Sequence, residues 1–364
     1  MIQKALFAAS LAGLLLTGLL LGGCATVGPR SIRPARFAYN EALAHSASEQ
    51  LLLNLVRLRY RDTPLFLEVG SVVTQYQLSA GAAANGRLAN RGDSDDLSLG
   101  INTAYSEQPT ITYAPLQGED FVARLLSPIS PANIVLLSQS GWSIERLLLC
   151  CVQKVNGLRN APAAAGPTPD YVPDYADFQH MAHQLRQLQK AGLVEAEMSE
   201  DQKTIILHLD HAPAGPLDEA ERDVRKLLGL DSGATTFRVV PELRPKDHDE
   251  VAVTGRSLLS VLFFLSQGVE SLQRDEQAGK VTITKDAAGK RFDWVEATGK
   301  LLRIHAAEQP PAEAAVRVHY RDAWFWIADD DLDSKTTFSL LTYLFSLKAG
   351  SKEMKEPLLT LGVR

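Results

Sequence analysis

The chain has 364 residues but only three cysteines, and two of them, Cys150 and Cys151, are adjacent. A disulfide framework is therefore excluded, and packing has to hold the fold. The adjacent pair sits in an apolar stretch and reads as small buried hydrophobes. An excess of positive charge is lacking as well. The net charge is −6, and a mildly acidic body excludes a nucleic-acid surface as the main business of the chain. Catalytic signatures are missing: there is no Gly-x-Ser-x-Gly elbow, no phosphate loop and no Gly-x-Gly-x-x-Gly fingerprint. No catalytic residue is named on this basis, and no enzyme is expected. Metal-ligand spacing is equally thin. His180 and His183 are three apart, as are His208 and His211, but no further ligand follows either pair at a diagnostic distance. Asp329, Asp331 and Asp333 alternate as in a calcium loop, yet Ser334 and Leu340 stand where that loop needs Gly and Glu. No metal and no diffusible cofactor is expected.

Long hydrophobic runs are absent with one exception. Lys4 is followed by an apolar run from Ala5 to Leu21, which ends in Leu21-Gly22-Gly23-Cys24. This is the pattern of a secretory signal. The last four residues resemble the lipobox of bacterial lipoproteins. The resemblance implies cleavage between Gly23 and Cys24, and a diacylglycerol plus an N-acyl chain (palmitate or similar) on Cys24. Each buried methylene of such chains adds about 0.8 kcal/mol of membrane affinity. Ala25, not Asp, follows the cysteine. By resemblance to lipoprotein sorting this implies the outer membrane, with the body facing the periplasm and outer-membrane lipid as a partner. Stretches 51–64 (LLLNLVRLRYRDTP), 254–269 (TGRSLLSVLFFLSQGV) and 333–341 (DSKTTFSLL) are similar to conserved-hypothetical Gram-negative lipoproteins. That similarity implies no activity and no site.

Residues 24–38 carry two prolines and three arginines and read as a lipidated tether. A helix is expected from about Asn40 to Arg61, with Leu51, Leu52, Leu55 and Leu58 at helical spacing. Helical pieces are expected over 118–156, the last from Ile144 to Val155 with Ser143 as N-cap. Residues 160–174, rich in proline, read as a linker. Two small modules follow, over 175–245 and 250–364. The first is expected to hold helices at 175–191 and 217–228 with strands at 193–198, 204–209 and 236–240. The second is expected to hold helices at 257–266 and 334–347 with strands at 281–284, 315–320, 323–328 and 358–361. The expected class is α+β: an N-terminal helix, long β-hairpin and helices over 39–159, then the two modules.

The hairpin is the most suggestive element. Val72, Thr74, Tyr76 and Leu78 alternate with Val73, Gln75, Gln77 and Ser79, and Leu97, Leu99, Ile101, Tyr105, Ile111 and Tyr113 recur at the same period. Such period-two patterning marks two strands with one apolar side. A half-buried sheet satisfies it, and so does a membrane hairpin, because a transmembrane strand needs about 9–11 residues. One hairpin cannot close a barrel, so the membrane alternative requires copies of the same chain. The leading expectation is a structural or assembly component of an envelope machine. It acts as a homo-oligomeric ring with a pore built from 71–113, or with other envelope proteins as partners. The rival is a monomeric periplasmic ligand- or partner-binding lipoprotein, and a periplasmic hydrolase stands behind both. The lipobox is directly testable: a Cys24→Ser variant is expected to lose all incorporation of radiolabelled palmitate in Gram-negative cells, and labelling of the variant would refute the assignment.

Overall fold

The computed structural model describes residues 29–87, 96–199 and 204–349. Cys24, the hairpin tip and the expected strand at 358–361 lie outside these residues. The class is α+β. The chain divides into two compact units. One comprises residues 65–122, and the other the remainder.

In the larger unit, helix α1 (Pro29–Arg59) opens the described chain. It begins eleven residues earlier than the apolar spacing indicates, so the expected tether is helical from Pro29 onward. Proline at the first helical position costs nothing, because its missing N–H would have no partner there. Leu52, Leu55 and Val56 are fully buried, which explains the helical leucine spacing. Short helices α3 (Pro131–Gln139) and α4 (Ile144–Cys151) follow, each with its N-cap serine, Ser130 and Ser143, accepting from the backbone N–H three residues on. Helix α4 stops at Cys151, and the chain turns directly into β3 (Val152–Val155). The expected helix to Val155 is thus four residues too long. The buried carbonyls at its end are taken up from the side. Arg256 donates to Leu149 O at 2.7 Å and Cys150 O at 3.3 Å, and Asn160 Nδ2 donates to Leu149 O at 2.9 Å and Val152 O at 2.7 Å. Those donors do what another helical turn would have done.

One sheet organises this unit. β4 (Leu158–Arg159), β5 (Val194–Met198), β6 (Ile205–Leu209), β7 (Thr236–Val240) and β8 (Glu250–Gly255) join β3 in the order β4-β3-β8-β7-β6-β5. Only β7 and β8 run parallel. The sheet corrects the expected division of the chain. Strands from before the proline-rich 160–174 pair with β8 from beyond the proposed 245–250 boundary, so neither stretch separates domains. Proline content marks irregular backbone, not independence of the flanking cores. Helices α5 (Ala176–Lys190) and α6 (Pro216–Leu228) complete the layer. Met181, Val224 and Leu228 from these helices meet Leu209, Val251 and Val253 of the sheet. Strand β8 itself, with Val251, Ala252 and Val253 buried in succession, lacks the alternation that signals a strand.

A second, three-stranded sheet holds β9 (His305–Ala307), β10 (Val316–Tyr320) and β11 (Ala323–Ile327), ordered β10-β11-β9. Helices α7 (Leu258–Ser266), α8 (Gln273–Gln277), α9 (Trp294–Thr298) and α10 (Leu332–Ala349) accompany it. The expected strand at 281–284 is irregular. Arg321 and Asp322 turn β10 into β11 with φ of 51° and 57°, a conformation that side chains resist. The turn is held from outside. Arg321 Nη2 donates to Asp62 at 2.7 Å, the Tyr320 hydroxyl also donates to Asp62, and Arg274 donates to Asp322 O at 2.7 Å.

The same corner contains a buried carboxylate. Asp275 is fully buried and accepts from the Tyr60 hydroxyl at 2.8 Å and from Lys280 at 3.0 Å. Burial pushes the Asp275 carboxyl up, but Tyr60 and Lys280 outweigh it and hold the group below its ordinary range. The unfolded chain therefore binds this proton more readily than the folded one. The stability it contributes is present above the ordinary carboxylate range, near pH 4, and is lost as pH falls through the lowered folded value. Tyr60→Phe is expected to cost about 1–2 kcal/mol at neutral pH. Asp275→Asn is expected to flatten the acid limb of stability against pH. Denaturant titrations across the acid range check both.

Candidate functional site

The smaller unit is built around strands β1 (Leu67–Arg87) and β2 (Asp96–Pro115). They pair antiparallel over their whole length. At about 3.3 Å per residue each arm is roughly twice as long as a typical strand is at its longest. Beneath them, Leu116 N–H donates to Phe66 O at 2.9 Å, and the rings of Phe66 and Phe121 meet edge to face at 5.7 Å. Phe121 belongs to α2 (Glu119–Leu126), so these contacts fasten the base of the hairpin.

Register decides what the arms present. Opposed residues of an antiparallel pair lie on the same face. Leu78 opposes Tyr105, Ala80 opposes Thr103, Ala82 opposes Ile101, Ala84 opposes Leu99, and Gly86 opposes Leu97. Thr74 opposes Pro109, Tyr76 opposes Glu107, and Val72 opposes Ile111. The two alternating sets recognised in the separate arms therefore fall on one common face. The other face carries Gln77, Ser79, Gly81, Ala83 and Asn85 against Ser106, Ala104, Asn102, Gly100 and Ser98. A shift of one residue would have mixed the two sets.

A bulge preserves this segregation at the base. Leu67 and Val69 have the opposite parity to Val72, and simple alternation would put them on the polar side. The register shifts between Val69 and Ser71, leaving Gly70 without an opposed residue. Val69 then opposes Tyr113, and Leu67 opposes Pro115, on the apolar face. An inserted residue in one arm is what a bulge supplies. Period-two reading of the sequence stops at Ser71 for this reason.

Charge has a boundary as well. Ten consecutive pairs, from Gln77–Ser106 to Gly86–Leu97, contain no Asp, Glu, Lys, Arg or His. The band ends in Arg87 opposite Asp96 toward the tip and in Glu107 toward the base. Val72, Ile111 and Tyr113 keep the apolar face but lie on the base side of Glu107. β1 and β2 form a sheet of two, and no other strand among the described residues pairs with the outer edge of either.

The remaining candidates do not converge. His180 pairs with Asp223 at 3.0 Å, His183 with Glu145 at 3.2 Å, His208 with Glu197 at 3.2 Å and His211 with Glu221 at 2.9 Å, each with its own acid. Asp329 holds Lys335, Asp331 caps α10 through Ser334 N–H, and Asp333 holds Arg146. No cluster of three or more potential metal ligands occurs among the described residues. Cys150 and Cys151 are buried free thiols, and the Cys151 thiol is pushed up by its bond to Cys150 and by burial. Phe325 is buried in the core, whereas Trp324 and Trp326 lie on the other face of β11 against His319 and His305. No described helix is long and apolar enough to cross a membrane. Comparison with protein-family models, curated proteins and solved structures returns no match for this chain.

The register makes a sharp prediction. Oxidation of an A80C/T103C variant is expected to close an intrachain disulfide, visible as a mobility shift without reductant. An A80C/N102C variant, with its cysteines on opposite faces, is expected to stay open. Closure of the second pair in place of the first would mean a different register.

Proposed function

We propose that the chain is a lipid-anchored outer-membrane component that assembles with copies of itself, each contributing β1 and β2 to a membrane β-barrel. The observation that carries this reading is the ten-pair band: uncharged, apolar on one face, small and polar on the other, with neither outer edge paired to another strand among the described residues. Ten residues make about 33 Å of strand, which at the tilt of membrane barrels spans about 25 Å. Tyr76 and Tyr105 fall at the base end of the band, the level at which barrels carry aromatic girdles. Pro109 lies just beyond Glu107 and has no N–H to give a neighbouring strand, so it suits a position outside the closed barrel. Hydrocarbon tolerates no open strand edge, and pairing β1 of one copy with β2 of the next removes both edges at once. The acylated Cys24 expected from the lipobox brings the copies to one surface and raises their local concentration.

Light scattering on the detergent-extracted acylated protein, beside a version lacking 71–113, tests the proposal. A large, uniform particle that falls to monomer on deletion is expected. A monomer in both cases refutes the assembly. Within a particle, Ala82→Arg places a charge in the middle of the apolar face. It is expected to cost about 2–4 kcal/mol per copy for insertion and to abolish channel conductance in planar bilayers.

A further inference from the structure

The three stretches 51–64, 254–269 and 333–341 meet around one cleft of the larger unit that the barrel does not use. Arg59 of the first and Gln267, Gly268 and Val269 of the second line it. Ser334 of the third accepts the backbone N–H of Arg303, another lining residue, at 2.8 Å. The cleft encloses about 430 Å³, within the range of small-molecule sites.

Arg59 is its distinctive group. The side chain is almost completely buried. Nε donates to Val269 O at 3.4 Å, and Nη1 donates to Thr168 Oγ1 and Thr282 O at 3.1 Å each. All three acceptors are neutral, and no hydrogen bond from Nη2 is found among the described residues. The other cations of the cleft have their counter-ions. Arg303 holds Glu270 at 2.8 Å, and Arg291 holds Glu276 at 2.8 Å. Asp293 is occupied as the cap of α9, accepting from Val295 N–H at 3.0 Å. The Arg59 guanidinium thus has no carboxylate in direct contact: Glu276 acts on it only from a distance, and that carboxylate is already held by Arg291. Burial, and the neighbouring Arg291, bring the Arg59 guanidinium down to about 10, so it remains charged at neutral pH.

We propose that this cleft binds a small molecule through one carboxylate or phosphate group docked on Arg59, with the rest of the ligand against Phe292. A guanidinium supplies the planar fork that oxyanions match, and a desolvated setting strengthens the contact. The proposal is independent of the barrel, because every residue it uses belongs to the larger unit.

The test uses the full chain in detergent. Acetate and inorganic phosphate are titrated at constant ionic strength against chloride, following Tm and the fluorescence of Trp294, which borders the cleft. A saturable response to acetate assigns a carboxylate ligand, a saturable response to phosphate a phosphate ligand, and either supports the site. Arg59→Lys is expected to weaken the response by about tenfold or more, since lysine offers no fork. Val295→Trp narrows the cleft without touching the partners of Arg59, and it is expected to remove the response from a protein that still unfolds cooperatively. No saturable response to either oxyanion overturns the proposal. So does a response that survives unchanged in folded Val295→Trp.

Discussion

The larger unit depends on a single buried guanidinium. Arg256 has no carboxylate among its hydrogen-bond partners. Its partners are Leu149 O, Cys150 O and Asn160 O, and its Cζ lies 3.9 Å from the centre of the Phe264 ring. Burial lowers it to about 10, still a cation at neutral pH. A charge held by carbonyls at a helix C-terminus is stabilised by the dipole it faces. Its neighbours share the work. A Cβ on Gly255 would come within 2.1 Å of Ile129 O, so only glycine lets that segment pass. Ser257 caps α7 through Ser260 N–H. Three consecutive residues thus end one helix, admit a crossing strand of backbone and start another helix.

This junction explains why the central sheet is assembled from distant pieces. Strand β3 follows α4 immediately, and it can do so only because Arg256 and Asn160 accept the role of the missing helical turn. Arg256 is itself the residue after β8, the strand that pairs with β3. Sheet pairing and helix termination are therefore one event.

Elements with strong local patterning were legible in the residues: the leucines of α1, the alternation of β1 and β2, helices α5 and α6, and the strands β10 and β11 that flank Arg321 and Asp322. What escaped depends on long-range partners. Strand β8 is buried on both faces and has no alternation to read. The end of α4 is set by a residue more than 100 positions away. The proline-rich 160–174 reads as a linker because composition reports backbone irregularity, whereas Thr168 and Asn160 within it are buried partners of two arginines. At the hairpin, each arm's apolar set was visible but their common face was not, since register belongs to the pair. Gly70 is the clearest case: a single unremarkable glycine resets parity. The proposed oxyanion cleft left no signal beyond the stretches that contain its residues, because a cation without a carboxylate in direct contact is defined only by what packs around it in three dimensions.

The bare edges of the hairpin also bear on the life of the chain before it reaches its destination. Arms of 21 and 20 residues whose outer edges pair with no other strand among the described residues are templates for any extended polypeptide they meet, and two-stranded ribbons are barely stable in water. Their uncharged middle offers no gatekeeper against such pairing. Under the proposed assembly, a copy without its neighbours exposes those edges to pairing with other chains.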